Sequence, residues 1–336
     1  MRYRALTSFV LLLAPSAQGE LHRIVPETYY RTFSRAHPPI ARVKPGDTIV
    51  TKTLDAAGLD EKGISRHERG NPLTGPFYVE GAEAGDALIV KLQRLTMNRN
   101  WGWSGYRLGW WSVLGSYMES TYPNRYKEGL VSPGRANQVP WDIDLETKVV
   151  RLREPSSARL KLEFPARPMV GCIGVAPAGD FAPSSAPSGA YGGNLDYNEI
   201  GEGATVILPV YHPGGLLFVG DGHALQGDGE PVGTGIETSL EIELSIDVRK
   251  KADLSGPRVE TKDWIISVGS QPEFASSLDR ALQMATTDMV QWLVEEYGLE
   301  PWAAHLLIGY QARYDVVTVA GSMALRIPRQ HLPAAK

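Results

Sequence analysis

The densest group of side chains that could do chemistry lies in the stretch VGDGHALQGDGE, from Val219 to Glu230. It holds three acidic residues, one histidine, one glutamine (Gln226) and four glycines. Asp221, His223 and Glu230 are hard or borderline metal ligands. If a strand ends here, side-chain alternation puts Asp221 and His223 on one side. The stretch predicts a metal or catalytic site, although a hairpin loop rich in Asp and Gly would have a similar composition.

A second stretch with site chemistry, YGGNLDYNE over 191–199, follows a Pro-, Ser- and Gly-rich loop over 178–190. It places Asn194 and Asp196 directly after two glycines. Taken alone, this is ordinary turn chemistry. Its value as a site therefore depends on whether the fold brings it to residues 221–230.

Other chemistries find little support in the sequence, which has no G-x-S-x-G elbow, H-E-x-x-H motif, P-loop or dinucleotide fingerprint. The single cysteine, Cys172, lies in the apolar run MVGCIGVAP, which favours a small buried hydrophobe over a nucleophile. Loop residues His67 and His212, and His305 on a predicted helix, are expected to lie outside the site.

The elements that would position these residues are mostly strands. Segments 43–50, 82–90 and 200–210 each place a glycine-containing turn before a β-rich run, and SLEIELSIDVR (239–249) alternates apolar and polar residues. In that last segment Glu241 and Glu243 are expected to be solvated.

The end of the chain changes to helical periodicity. A helix is predicted over 277–297, with Ser277 as its cap and Gly298 beyond its end, followed by a short helix over 302–308 and a strand over 314–328. Strands first and helices late predict an α+β, predominantly β fold, with sandwich- or barrel-like β layers and C-terminal helices.

The domain division we predict is an N-terminal β-rich domain over 20–170 and a site-bearing β-rich domain over 171–336 with a C-terminal α/β segment. With 43% apolar and 21% charged residues, the chain can build a sizeable core. A net charge of −4 without a basic tract excludes nucleic acid as an expected partner.

Residues 1–19 have the pattern of a secretory signal peptide. A basic start precedes a mostly apolar run over 5–14, which is too short to span a bilayer. Ala17 and Gly19 supply small residues before a cut at Glu20. We therefore expect a periplasmic or secreted protein with no membrane span in the mature chain. The alternative is a buried element at a genuine N-terminus.

Several motifs, taken together and in order, resemble the acetamidase/formamidase family. They run through nearly the whole expected mature chain: KPGDTI (44–49), NPLTGPFYVEGAEAGD (71–86), GCIGVAP (171–177), GGNLD (192–196), LPV (208–210), VGDGHALQGDGE with GTGIE (219–237) and TTDMVQWLVEEYGL (286–299). The second and sixth blocks are specific enough that chance agreement of both is improbable.

The resemblance implies hydrolysis of the C–N bond of short linear amides to carboxylate and ammonia, with a divalent metal, zinc as first candidate, activating water. Carried over by motif, Asp196, Asp221 and His223 would face the metal, and Glu230 would be the general base. Asn194 or Gln226 would stabilise the oxyanion.

The NPLTG block is open to two interpretations. Asn71, Thr74 and Gly75 would shape the substrate pocket, or the block would be a tight structural turn. The protein as a whole also has an alternative from another class, a non-catalytic secreted β-sandwich that binds a small ligand or sugar. The aromatic segment over 98–111 suits stacking on such a ligand. A homo-oligomer is possible under either interpretation.

Overall fold

A computed structural model describes residues 19–109, 111–114, 138–154, 159–270 and 277–335. Within these ranges, strands dominate and form three sheets, and two α-helices follow late in the chain. The predicted α+β, predominantly β class is therefore confirmed. The proposed leader over residues 1–19 lies outside the described residues except for Gly19, so it stays a prediction.

The largest sheet contains nine strands among the described residues, six of which come from the second half of the chain. In spatial order the strands are β1 (Leu21–Ile24), β3 (Thr48–Lys52), β15 (Leu240–Arg249), β5 (Ala87–Met97), β13 (Thr205–Pro209), β16 (Arg258–Glu260), β17 (Trp264–Ser270), β19 (Ser322–Pro328) and β18 (Arg313–Thr318).

Two smaller sheets complete the described β structure. The six-stranded sheet has the order β11 (Ser188–Gly189), β12 (Gly192–Asn194), β10 (Met169–Val175), β14 (Leu217–His223), β4 (Leu73–Val79) and β2 (Ala41–Val43). The four-stranded sheet has the order β6 (Trp101–Ser104), β7 (Val139–Asp144), β8 (Val149–Leu152) and β9 (Glu163–Pro165).

The main core takes side chains from the two larger sheets. Ile242 and Leu244 of β15 and Phe77 and Phe218 of the six-stranded sheet are all fully buried in one cluster. Burying a side chain of this size stabilises the fold by about 1.5–3 kcal/mol. The alternation predicted for residues 239–249 is confirmed, because every second residue of β15 is buried until Ile246 and those between are half-buried or exposed.

The glycine turns before strands behave as the sequence indicates. Gly46, Gly85 and Gly203 have φ of 91°, 88° and 88°, the left-handed region that a residue without Cβ enters at little cost. They precede β3, β5 and β13, which all belong to the nine-stranded sheet.

The strands on either side of two connections in the chain do not pair with each other. β4 and β14 belong to the six-stranded sheet, whereas their sequence neighbours β5 and β13 belong to the nine-stranded one. The connections at 80–86 and 210–216 therefore cross between the sheets, and they bring β14 next to β4 and β10.

The C-terminal helices cover the nine-stranded sheet. Helix α1 spans Leu278–Glu295, and the side chain of its cap Ser277 accepts a hydrogen bond from the N–H of Arg280. Its fully buried Met289 and Trp292 join a second core with residues of the sheet. Helix α2 spans Pro301–Gln311, longer than the 302–308 predicted.

The single strand predicted over 314–328 is wrong, because the structure has a β18–β19 hairpin there. The chain reverses at residues 319–321, where Gly321 has a φ of 130°. The division at residue 170 stays a prediction, and both larger sheets take strands from each side of it. Neither described helix combines the length and apolarity that crossing a membrane requires.

Candidate active site

Strand β10 brings together the two sequence stretches with site chemistry. It lies between β12 and β14, and its Cys172 pairs with Asn194 on one side and Gly220 on the other. The residues that follow these two positions therefore emerge side by side. Asp196, Asp221 and His223 each place a potential ligand atom within 4.8 Å of those of the other two.

A fourth residue, Glu237, completes the cluster. The chain after β14 turns back so that Thr238 N–H donates to the Gly222 carbonyl at 2.8 Å, and Glu237 stands opposite His223. Oε1 of Glu237 lies 3.2 Å from His223 Nε2. Sequence reasoning missed Glu237 as a site residue, although the GTGIE motif that contains it is part of the family resemblance.

The four side chains meet around His223 Nε2. This nitrogen lies 3.6 Å from Asp221 Oδ1 and 3.9 Å from Asp196 Oδ1. Both of these oxygens, His223 Nε2 and Glu237 Oε2 are buried without a hydrogen-bond partner among the described residues. Four unsatisfied polar atoms on side chains this close together are costly in a protein interior. A divalent cation would satisfy them, since carboxylates and imidazole are common ligands of zinc and similar ions.

The ionisation of the cluster fits a cation as well. Burial raises the pKa of Asp196 well above its usual range, and the Glu230 and Asp221 carboxylates raise it further. Burial also raises the pKa of Glu237 to about 8, although His223 opposes the shift. Burial would lower the pKa of His223, but the Glu237 and Asp221 carboxylates hold it well above normal. Without a cation, the cluster therefore retains protons that a cation would displace.

Gln226 orients His223 from behind. Its Nε2 donates to the Asp196 carbonyl at 2.5 Å, so its Oε1 faces His223 Nδ1 at 2.8 Å. A carbonyl oxygen only accepts, so Nδ1 carries a proton, and Nε2 would present its lone pair to a cation that displaced the second proton of the ring. Gln226 is buried and does not line the cavity described below.

Asn194 orients Asp196 in a similar way. Its Nδ2 donates to Asp196 Oδ2, which leaves Oδ1 directed to the cluster. Its own Oδ1 accepts from Asn71 Nδ2 at 3.1 Å and from the Cys172 thiol at 2.8 Å. Cys172 is buried as predicted, and burial raises the pKa of its thiol well above normal, with the Asp221 carboxylate adding to the effect. It is therefore a neutral hydrogen-bond donor here.

The backbone is strained at the acidic positions. Asp196, Asp221 and Glu230 have φ of 45°, 57° and 48°, and Asn71 has 52°. A residue with a side chain rarely adopts this region, and such outliers concentrate at functional sites.

Two glycines leave room for the cluster. A Cβ on Gly171 would lie 2.5 Å from Asp196 Oδ1 and 2.9 Å from Asp221 Oδ2, and one on Gly235 would lie 2.5 Å from His223 Nδ1. No side chain of any kind fits at either position without displacing these groups. The GCIGVAP and GTGIE motifs therefore each place a glycine next to the cluster, where a side chain would not fit.

A cavity of about 460 Å³ reaches the cluster. Asn71, Asn194, Asp196 and Glu230 form part of its lining. Glu230 also places a carboxylate oxygen within 4.8 Å of ligand atoms of His223 and Glu237. Burial raises its pKa to about 8, against the lowering effect of His223. Glu230 is thus the acidic group that both faces the cavity and stands beside the cluster.

The remaining predicted residues lie elsewhere. Thr74 is fully buried, and its hydroxyl donates to the Lys52 carbonyl at 2.8 Å. Gly75 has a φ of 131°, and a Cβ there would lie 2.6 Å from the Leu217 carbonyl. Neither residue is part of the cavity lining. These positions are structural, so of the three residues proposed from the NPLTG block only Asn71 reaches the cavity.

The aromatic segment is divided between core and cavity. Trp103 is buried and its indole N–H donates to Asp55 at 3.0 Å, whereas Trp111 is half exposed and lines the cavity. Trp110 lies outside the described residues. His212 and His305 lie away from the cluster, with His212 Nε2 at 2.7 Å from the Pro177 carbonyl.

The fold and the site together define a β-rich protein with a buried cluster of three carboxylates and one imidazole that opens to a cavity. The chain belongs to the acetamidase/formamidase family, whose model matches residues 21–186 and 178–312. The resemblance noted from the motifs is thereby confirmed.

Relatives of known name agree with this assignment. A formamidase from Methylophilus methylotrophus is 29% identical over 235 residues, 57% of this chain and 57% of the relative. The chain therefore matches less than two thirds of that relative's length. An acetamidase from Mycolicibacterium smegmatis is 26% identical, covering 82% of this chain and 84% of its own. The crystal structure of an acetamidase from Bacillus halodurans has a TM-score of 0.75 at 29% identity, covering 92% of this chain and 98% of the other.

Proposed function

We propose that this protein hydrolyses the C–N bond of short linear amides, giving a carboxylate and ammonia. The observation that carries the proposal is the convergence of four buried side chains, each with an unsatisfied ligand atom, beside a carboxylate that faces a cavity. The family and the names of its relatives give the substrate class.

In the proposed mechanism Asp196, Asp221 and His223 would hold a divalent cation, with zinc as first candidate and Glu237 as a further ligand. A bound cation of this kind supplies a Lewis acid and makes water easier to deprotonate near neutral pH. The donor set fits this role, because it combines three acidic side chains with an imidazole whose free nitrogen faces them.

Glu230 moves the proton. It lines the cavity, where it would accept a proton from the attacking water and return it to the amide nitrogen. The water oxygen forms the new bond to the carbonyl carbon, the C–N bond breaks, and ammonia leaves. Asn194, which also lines the cavity, would help to bind the carbonyl oxygen with its second amide hydrogen, and Gln226 would keep His223 in place.

The test is ammonia release from formamide, acetamide, propionamide and longer amides by the mature protein. It is run as purified, after chelation and after zinc is restored. We expect turnover that chelation abolishes and zinc restores, and its loss in His223→Ala and Glu230→Ala variants that still fold. Full activity in both variants would contradict the assignment of the site. Tight ligand binding without ammonia release would favour the non-catalytic binding protein.

We also propose that the protein is exported and that its mature chain begins at Glu20. Glu20 N–H donates to Asp47 Oδ1 at 2.8 Å, and Asp47 is buried. A free α-amino group at this position would pair with that carboxylate. Mass spectrometry of the N-terminal peptide from periplasm or medium tests the proposal, and an intact Met1 in the native protein would contradict it.

A further inference from the structure

Three serines form a hydroxyl cluster on the wall of the same cavity. Ser188, Ser270 and Ser322, here called the serine wall, belong to β11, β17 and β19. Their Oγ atoms lie 2.5, 2.9 and 3.2 Å apart in pairs. All three residues line the cavity and are at most 8% exposed. Three strands distant in sequence thus contribute the same side chain to one point.

The serine wall stands beside the candidate active site. Ser188 pairs with Gly193, next to Asn194, and Ser322 pairs with Thr318, which itself bridges to Gly229 beside Glu230. Cross-strand neighbours on one face are about 5 Å apart and diagonal neighbours about 7–8 Å. The wall therefore lies within reach of a second polar group on a small amide held at the cluster.

The hydroxyls have hydrogen-bonding capacity left over. Each serine has one donor and two acceptor lone pairs, and a closed ring of three bonds uses only half of the lone pairs. Rotation of one hydroxyl also frees a donor. The wall can therefore donate to or accept from a group in the cavity, as a substrate hydroxyl requires.

The charges around the cavity favour a neutral group. The described residues that line the cavity include no Lys or Arg, whereas they include the acidic residues Asp196 and Glu230. Among the lining residues that the structure describes, a carboxylate on the substrate would find carboxylates and no Lys or Arg to pair with. The volume of about 460 Å³ is also much larger than formamide or acetamide needs, since a cavity of about 10–15 Å³ already holds a water molecule.

We propose that the serine wall selects amides that carry a second, neutral hydrogen-bonding group, such as a hydroxyl. This group would lie on carbon 2, 3 or 4, with the carbonyl carbon counted as carbon 1. This inference rests on the proposed amide hydrolysis. Ser188, Ser270 and Ser322 would be specificity-determining residues, with no part in bond cleavage.

The test uses pairs of amides of equal length that differ by a hydroxyl in place of a methyl: glycolamide with propionamide, 3-hydroxypropionamide with butyramide, and 4-hydroxybutyramide with pentanamide. In at least one pair we expect kcat/KM to favour the hydroxyl compound about tenfold, the effect of one well-placed neutral hydrogen bond. The preference should fall towards one in a Ser270→Ala/Ser322→Ala variant.

Ser267→Ala is the matched control. It removes a hydroxyl from the same strand β17, but that hydroxyl donates to Asp288 of α1 at 2.8 Å and does not line the cavity. We expect it to keep the tenfold preference even if stability falls. A purely structural role for the wall would change both members of a pair equally and leave their ratio untouched.

Binding of the same pairs to the zinc-loaded protein, measured by ligand-observed NMR, separates this inference from the proposed function. Absence of ammonia from every amide would overturn the hydrolase, while a tenfold difference in Kd within a pair would still support the wall. A ratio near one in the wild-type protein, in turnover and binding alike, would overturn the wall, as would a preference that survives the double substitution.

Discussion

The substitution Gly171→Ala tests the geometry of the cluster by adding one carbon atom. Gly171 lies in β10, and its φ is not in the left-handed region, so alanine can adopt its backbone conformation. The effect therefore comes from contact alone. The new Cβ would lie 2.5 Å from Asp196 Oδ1, and an ordinary contact begins at about 3.4 Å, so this oxygen must move by about 0.9 Å.

The backbone around Asp196 resists that movement. The N–H groups of Leu195 and Asp196 both donate to the Gly171 carbonyl, at 2.9 and 3.1 Å. The strand that carries the new methyl group therefore also holds the displaced residue in place. A misplacement of about 1 Å at a catalytic group can reduce the rate about a hundredfold, or about 2.7 kcal/mol of transition-state stabilisation. Overpacking of this kind also destabilises folds by about 1–3 kcal/mol.

Gly227→Ala is the matched control for this experiment. It lies within the same sequence motif as Asp221 and His223, its φ is not left-handed, and a Cβ there meets nothing within 4 Å. The measurements are kcat/KM for acetamide, zinc bound per chain after loading, and urea unfolding of both variants. We expect Gly171→Ala to lose about a hundredfold in kcat/KM and most of its zinc, and Gly227→Ala to keep both. Equal zinc content and activity within threefold of each other would refute the proposed role of Gly171.

Three further predictions concern the residues around the cluster. In metal-free protein, Glu237 has a folded pKa of about 8 against an unfolded value of 4.5, so folding takes up a proton between these values. Stability present below pH 4.5 is therefore lost as the pH rises towards 8, by about 1.4 kcal/mol per pH unit for one such group. Urea unfolding should show at least this slope, because the pKa values of Asp196, Glu230 and His223 are raised as well, and zinc should flatten it. Gln226→Ala removes the acceptor that fixes the His223 tautomer, so competition with a chelator should give a zinc affinity 10–100-fold lower; an unchanged affinity would exclude the orienting role. Cys172→Ala removes one hydrogen bond to Asn194, so kcat/KM should fall less than about tenfold, whereas complete loss at normal zinc content would indicate a nucleophile.

Much of the local structure follows from the sequence. The alternation in residues 239–249 gives β15 with its buried face, and the Ser277 cap and Gly298 bound α1 within a few residues. These features depend on contacts between residues close in the chain, which is why periodicity and cap chemistry predict them. The sequence predicts one strand where the structure has a hairpin over 313–328, because residues on both sides of the reversal at Gly321 favour β structure and a single glycine is a weak turn signal.

The sequence does not predict which strands pair with each other or which sheet each strand joins. The turns after β4 and β13 suggest hairpins, yet each connects strands of different sheets. A local turn signal shows where a strand ends, but the partner of the next strand depends on which face of the whole sheet becomes buried.

The residue types of the site were determined by the sequence. The motif at residues 219–230 and Asp196 supply carboxylates, an imidazole and flexible glycines, residue types that suit a metal or catalytic site and also a turn-rich loop. What only the tertiary structure decided is which groups meet. Strand β10 places Asp196 beside Asp221 and His223, and a second reversal adds Glu237. The serine wall likewise depends on three strands distant in the chain meeting at one cavity. Such contacts leave no local signal in the sequence, because each segment that supplies one of these residues has the composition of an ordinary turn or strand.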